Sequence, residues 1–420
     1  MYKTFKRDIF SLGLVQILNY IIPLLIIPYL TRVLGPESFG EYSLSLAIMM
    51  YVLLMISFGF DLSSTVTISS VRNDKRELNI YLSSVLAVKI VVMLVLLLIP
   101  ILANLFGFID LNFYIYIIPA LIGGVFSCQY LFQANQKLTE LAIIVFLSKF
   151  LTMPLIFVFV QSPADLKYAV LIQSTSYFIA GLVSIAYLMV TSQMALTRIS
   201  KISVYNAAKD GFTVFKLNIA TTIYMSGVPI LIGMLAGVRE VGIFNIANTI
   251  KGVFSNLFSV VTRVLFPSIT NSFAQGNHLE AQTVIRKSAK LLFGIKLLLL
   301  IILWASSSYL VYLLGGEGYE EASWVLRFLL IASLISLANN FSGVQTVLAM
   351  GFKKEFSNTV IKATIAGLFI TPPLIYAYSS VGGAISIIII EFIILILLVM
   401  LHKELGISTI FPFTKSGSKK

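Results

Sequence analysis

Long apolar runs separated by short polar segments dominate the chain. A helix needs about 20 residues, at a rise of 1.5 Å each, to cross a bilayer core of about 30 Å. Runs of about this length predict twelve membrane spans, numbered here in chain order: 10–31, 41–62, 81–105, 111–133, 141–160, 166–190, 213–235, 241–268, 286–313, 322–350, 357–378 and 381–402. The first run is too long for a cleaved signal peptide and contains Gln16 and Asn19. The pattern therefore predicts an all-α, polytopic membrane protein.

Two short segments, 202 positions apart, repeat one turn. "RVLGPESFGEYSLSLAI" occupies residues 32–48, "MLAGVREVGIFNIANTI" occupies residues 234–250, and Gly35 aligns with Gly237. Each turn follows the first span of a set of six. The repeat predicts two six-helix halves in the same orientation, related by a pseudo-two-fold axis along the membrane normal. The alternative is that any short turn between helices favours glycine.

This register divides the chain into three parts. Residues 1–190 form the N-terminal half, 191–212 a cytoplasmic linker and 213–420 the C-terminal half. The linker mixes apolar and basic residues, so it forms either an amphipathic helix on the inner leaflet or an unstructured basic loop.

The composition indicates a membrane protein. It has 420 residues, of which 58% are hydrophobic and 11% charged, whereas soluble domains carry about a quarter charged residues. The single cysteine and two histidines exclude a disulfide framework and a histidine- or cysteine-rich metal site.

The net charge of +12 is unevenly distributed. Nineteen of the thirty basic residues fall in the termini and in connections on one predicted side, and three fall on the other. Because basic loops stay in the cytoplasm, both termini are expected to be cytoplasmic, which agrees with an even number of spans.

The remaining basic residues lie inside predicted spans, where a charge costs at least about 2.5–3.5 kcal/mol and faces a partner or a wet cavity. They are Lys89, Lys149, Lys216, Lys251, Arg263, Lys296, Arg327 and Lys362, against two clear acids, Asp61 and Glu391. Internal pairing cannot balance this excess, so an anionic ligand is expected. The alternative is that their long side chains reach the interface, and this is favoured for Lys216, Arg263, Arg327 and Lys362.

Lys251 lies nearest the predicted midplane, on a polar stripe of one helix. The stripe consists of Asn248, Lys251, Ser255, Ser259 and Thr262, spaced three or four residues apart. Such a stripe lines either a wet cavity or a helix–helix seam. We predict a cationic central cavity with these substrate-binding residues: Lys251, Lys89, Lys149, Lys296, Asn248 and Ser255. The equivalent of Lys251 in the first half is Met49, which weights the anion site towards the C-terminal half.

The two acids are candidates for ion coupling. Glu391 is surrounded by apolar residues, and Asp61 lies near the inner end of the second span. A carboxylate in lipid can carry a proton, although Glu391 could instead form a structural ion pair with a lysine such as Lys362. The coupling ion, H+ or Na+, is left open, and no cofactor is expected.

Four segments resemble one known family. They are "LGPESFGEYSL", "FGFDLSSTVTISSVRNDKRELNIYLSSVLAVK", "LLGGEGYEEASWVLRFLLIA" and "GVQTVLAMGFKKEFSNTVIKA". In order and spacing they are similar to Wzx-type O-antigen and polysaccharide flippases of the multidrug/oligosaccharidyl-lipid/polysaccharide exporter superfamily. Val66 stands where many relatives have arginine, so no role of that arginine can be transferred.

The resemblance implies a non-enzymatic secondary transporter of the bacterial inner membrane. It would move an undecaprenyl-pyrophosphate-linked oligosaccharide from the inner to the outer leaflet by alternating access, coupled to an ion gradient. Its implied partners are this lipid-linked oligosaccharide, membrane lipids, and polysaccharide polymerase and chain-length proteins, with no nucleic acid. The alternative is a multidrug or organic-cation antiporter, which would need carboxylates in its pocket.

Overall fold

The computed structural model describes residues 2–71, 74–105, 114–135 and 137–407, and every regular element in this part of the chain is helical. Its α-helices are α1 Tyr2–Ser57, α2 Phe60–Val71, α3 Lys75–Leu105, α4 Ile118–Phe126, α5 Gln129–Ala134, α6 Leu138–Phe159, α7 Leu166–Val190, α8 Lys201–Ala236, α9 Val238–Ala274, α10 His278–Ala305, α11 Ser307–Gly315, α12 Ala322–Asn339 and α13 Lys353–Glu404. A π-helix, Asn340–Leu348, continues α12. The predicted all-α membrane class is confirmed.

Nine helical segments within the described residues are long and apolar enough to cross a membrane. Two of them are long helices with a break, at Gly35 in α1 and at Ser379 in α13. The fourth predicted span, 111–133, corresponds to the apolar segment Tyr114–Ala134, but its helix is interrupted between α4 and α5. The ninth span, 286–313, is likewise divided between α10 and α11.

The two repeated turns share one backbone conformation. Gly35 has φ 72° and ψ 174°, and Gly237 has φ 95° and ψ 165°. This region is accessible essentially only to glycine, because a Cβ atom clashes there with the backbone. The aromatic residues that align behind the two turns, Tyr42 and Phe244, are both buried. The glycines predicted to be equivalent therefore turn the chain in the same way.

Contacts divide the chain into two compact units, Met1–Thr222 and Ile223–Lys420. The predicted linker falls in the first unit, and its second part, 201–212, is the beginning of α8. An unstructured loop is therefore wrong for those residues. On one side of this segment, Ser203 contacts Ser84 of α3 at 3.1 Å, whereas Ile202 and Tyr205 are 72% and 66% exposed. Because Lys209 and Asp210 are exposed as well, the placement of an amphipathic helix on the inner leaflet stays a prediction.

Two glycines let α4 and α7 approach each other closely. A Cβ atom on Gly123 would lie 2.3 Å from the carbonyl oxygen of Tyr177, and one on Gly181 would lie 2.2 Å from the carbonyl oxygen of Gly123. Small residues permit such backbone contact between membrane helices. The crossing fixes the position of α4, and the end of α4 lies next to buried charged side chains.

The substitution Gly123→Ala should destabilise this unit, because the added methyl group meets backbone atoms that cannot rotate away. Overpacking of this kind costs about 1–3 kcal/mol. A lower midpoint of thermal unfolding in detergent would show it. Gly294→Ala in α10 is the matched control, since nothing lies within 4 Å of its Cβ position. Equal midpoints for the two variants would contradict the proposed crossing.

Candidate functional site

Buried charges form one group in each unit, and the larger group lies in the second unit. It is built by α9, α10, α12 and α13, which carry Lys251, Lys296, Asn339 and Glu391 respectively. These residues are far apart in sequence, so packing of the helices brings them together. Two lysines and one glutamate give the group a formal charge of +1.

Glu391 is held by a neutral partner. Its side chain is 7% exposed, and the Nδ2 atom of Asn339 donates to its Oε2 at 2.7 Å and to its backbone carbonyl at 2.8 Å. Glu391 also interacts electrostatically with Lys251 and Lys296. A buried carboxylate needs such partners, since leaving it unpaired in an apolar surrounding is costly.

Lys296 is bonded within the protein. It is 7% exposed, its Nζ atom donates to the carbonyl oxygen of Ser333 at 2.5 Å, and it lies 5.2 Å from the ring centroid of Phe258. Its ammonium group is thus held between α12 and an aromatic face of α9.

Lys251 differs from Lys296. It is half-buried and interacts electrostatically with Glu391, but within the described residues its ammonium group has no hydrogen-bond partner. An ammonium has three donors to satisfy. Lys251 can therefore accept an anionic ligand without first breaking a hydrogen bond inside the protein.

The polar stripe around Lys251 has two parts. At its inner end, Gln345 of the π-helix donates to the carbonyl oxygen of Thr262 at 2.9 Å, so this end is a helix–helix seam. Nearer to Lys251, Asn248 is half-buried and the Oγ atom of Ser255 has no partner within the described residues. Of the two sequence interpretations, the seam applies at Thr262.

The first unit contains a smaller group around Lys89 of α3. This side chain is 1% exposed, and its Nζ atom donates to the carbonyl oxygens of Gly124 at 3.3 Å and Ser127 at 2.7 Å. Asp61, in the first turn of α2, interacts electrostatically with it. Lys149 belongs to neither group: it is half-buried on α6.

The other intramembrane charges vary in surroundings. Arg263 and Lys362 are exposed, and Arg327 donates to Ser307 at 2.8 Å and stacks over Trp324 at 4.5 Å. Lys362 is therefore wrong as a partner for Glu391, whose charged neighbours are Lys251 and Lys296. The side chains of Lys216 and Val66 lie outside the described residues.

Sequence reasoning missed Asn339, which joins α12 to Glu391. The signal was present as an Asn339–Asn340 pair inside the tenth predicted span. Amide side chains in membrane helices commonly bond to a neighbouring helix. The carboxylate on the other side could not be identified from α12 alone.

Solved structures define the class of fold. Lipid II flippase MurJ in an inward closed conformation matches with a TM-score of 0.75 and 14% identity, over 93% of this chain and 87% of that one. An inward-facing multidrug resistance transporter of the MATE family, from the MOP superfamily, matches with a TM-score of 0.68 and 16% identity, over 94% and 95%. At these identities the likeness establishes the fold, which is that of MOP-superfamily transporters.

The family follows from closer relatives. Residues 5–273 match the family model for polysaccharide biosynthesis proteins. A candidate O-antigen transporter of Escherichia coli (strain K12) is 32% identical over 400 residues, covering 94% of this chain and 96% of its own. Capsular polysaccharide biosynthesis protein CapF of Staphylococcus aureus is 24% identical, covering 93% and 97%. The chain belongs to the polysaccharide biosynthesis protein family, and its resemblance to Wzx-type flippases is confirmed.

Substitution of Asn339 by alanine should destabilise the second unit, because Glu391 loses its neutral donor. A hydrogen bond to a charged group contributes about 1.5–3 kcal/mol. Thermal unfolding of the four proteins of a double-mutant cycle, with Glu391→Met as the second change, would isolate this contribution. Additive effects of Asn339→Ala and Glu391→Met would contradict the direct bond.

Proposed function

We propose that the protein is a secondary transporter that moves an undecaprenyl-pyrophosphate-linked oligosaccharide, such as an O-antigen repeat unit, from the inner to the outer leaflet. It acts by alternating access in the bacterial inner membrane, with both termini in the cytoplasm, and performs no covalent chemistry. Its nine apolar helical segments within the described residues, its MOP fold and its O-antigen transporter relatives support this function.

The group around Lys251 is the observation that carries the proposal. Its charge of +1 favours an anion, and among the described residues no hydrogen bond to the Lys251 ammonium would have to be broken. A pyrophosphate presents several strong acceptor oxygens, which lysine binds as a point charge. Asn248 and Ser255 lie on the same helix face and can donate to further oxygens. Lys149 offers a second half-buried ammonium in the first unit.

Export of an organic cation is the alternative, and the likeness to a multidrug MATE transporter favours it. A cation would have to bind beside Lys251 and Lys296, whose charges repel it. The nearby carboxylate, Glu391, is already bonded to Asn339. The surroundings of Lys251 therefore support an anionic substrate over a cationic one.

Replacement of Lys251 tests the substrate site. Lys251→Ala should reduce translocation at least about tenfold, since one charged hydrogen bond of about 1.5–3 kcal/mol corresponds to that factor or more, and Lys251→Arg should keep part of the activity. The measurement is the amount of surface polysaccharide in a deletion strain that carries each variant. The amount of lipid-linked oligosaccharide that remains on the inner face of the membrane is measured in the same strain.

Lys362→Ala is the matched control because that lysine is exposed, and its activity should equal that of the wild type. A Lys251→Ala protein with wild-type expression and activity would contradict the substrate site. Drug resistance conferred by the wild-type protein, without restored polysaccharide export, would favour the cation antiporter.

Glu391 and Asp61 are the proposed ion-coupling residues. Both lie beside a lysine, so a change in the charge of either acid alters the field at that lysine. Glu391→Gln should leave transport insensitive to an imposed pH gradient, measured in proteoliposomes with a lipid-linked oligosaccharide. Retained dependence on the gradient would remove Glu391 from this role, and Asp61→Asn provides the parallel test.

A further inference from the structure

The fourth predicted span is interrupted where the membrane provides no water. Helix α4 ends at Phe126 and α5 begins at Gln129. The last helical turn is closed by the amide of Ser127, which donates to Gly123 at 2.9 Å, whereas the next amide, of Cys128, points to the Oγ atom of Ser184 at 3.5 Å. The carbonyl oxygen of Gly124 therefore loses its normal intrahelical donor. Such an oxygen costs several kcal/mol in hydrocarbon unless another donor replaces it.

Lys89 supplies that donor. Its Nζ atom reaches both carbonyl oxygens at the end of α4, those of Gly124 at 3.3 Å and Ser127 at 2.7 Å. The third side of the ammonium faces the ring of Tyr130, whose centroid is 5.2 Å away. A cation near a helix C-terminus is also favoured by the helix dipole. Both hydrogen bonds and the aromatic contact of this ammonium are thus made by the segment from Gly124 to Tyr130.

The surroundings of Lys89 do not admit a large anion. Its side chain is 1% exposed, and Tyr130 and Cys128 beside it are fully buried. Asp61 already provides a negative charge nearby. A pyrophosphate would have to break two hydrogen bonds to reach the ammonium, and Asp61 would repel it.

A buried lysine also bonds to the fourth span in the second unit, although its carbonyl partner lies inside α12 and its aromatic neighbour lies on α9. Lys296 belongs to the third predicted span of its half, as Lys89 does. It donates to a carbonyl of the fourth span, Ser333, at 2.5 Å, and it lies 5.2 Å from the Phe258 ring. That fourth span is also irregular, because it becomes a π-helix at Asn340. A buried lysine thus accompanies an irregular fourth span in both units.

We propose that Lys89 is a positioning residue, which fixes the broken fourth span and α5 through the carbonyl oxygens at the end of α4, and that it does not bind the substrate. This role differs from the one expected from its depth in the membrane alone. This inference goes beyond the proposed transport function, because it applies whichever ligand the protein carries. It also leaves only the lysines without carbonyl partners as candidates for the anion site.

Cys128 is a natural reporter of this break. It is the only cysteine in the chain, it is fully buried, and it immediately follows the bonded carbonyl of Ser127. Loss of Lys89 leaves two carbonyl oxygens without a donor, so the break should open to water and expose the thiol. Labelling of purified full-length protein by N-ethylmaleimide, followed by intact-mass spectrometry, measures that opening.

The test uses Lys89→Met together with Asp61→Asn, because Lys89→Met alone leaves a buried charge that can prevent folding. The double variant keeps the charge balanced and lacks only the donor. We expect Cys128 in the double variant to react at least about tenfold faster than in the wild type, since the opening then costs less by about one hydrogen bond to a charged group. Lys149→Met should label as slowly as the wild type, and Asp61→Asn alone, which keeps the ammonium donor, should label more slowly than the double variant. Wild-type labelling of the double variant would overturn the proposal.

Binding of inorganic pyrophosphate, measured by calorimetry, separates positioning from substrate binding. The double variant should bind pyrophosphate within about twofold of the wild type, whereas Lys251→Ala should lose at least about tenfold. A loss in the double variant equal to that of Lys251→Ala, with Cys128 still protected, would make Lys89 a ligand-binding residue. If the wild type binds no pyrophosphate, the anion site of the proposed function fails, and the Cys128 labelling still decides the role of Lys89.

Discussion

Backbone hydrogen bonding at helix breaks is the constraint on which this structure depends. A continuous helix satisfies its own amides, but a break inside the bilayer leaves groups that water cannot reach. Lys89 meets this need at the end of α4, where its Nζ atom donates to the carbonyl oxygen of Ser127 at 2.7 Å. Its hydrogen bonds go to backbone groups, so a charge in the membrane is not in itself evidence of a ligand site.

This constraint sorts the intramembrane lysines into two kinds. Lys89 and Lys296 have carbonyl partners and very little exposure, whereas Lys251 and Lys149 are half-buried and, within the described residues, have no hydrogen-bond partner. The sequence alone does not distinguish the four lysines, since each adds one positive charge to an apolar helix. Their partners decide which charge is available, and on that basis we propose Lys251 as the principal anion-binding residue.

Much of the fold could be predicted from the sequence because span length and hydropathy are local properties. The turn at Gly35 and Gly237 was also predictable, since glycine is needed there in both copies. The break at Cys128 was not predictable, because it depends on Lys89 from α3 and Ser184 from α7. The neighbours of Glu391 come from three other helices, so a single sequence left Lys362 as plausible as Lys251.

The fold alone does not determine whether the substrate is an anion or a cation, because flippases and multidrug transporters share it. The pairing of the buried charged side chains distinguishes the two cases. If Asn339 were an acid, the group would contain two lysines and two carboxylates, and its formal charge would fall to zero. Asn339 instead satisfies Glu391 through neutral N–H donors at 2.7 and 2.8 Å. The amide thus stabilises Glu391 without adding negative charge, and the group keeps the formal charge of +1 on which the proposal of an anionic substrate rests.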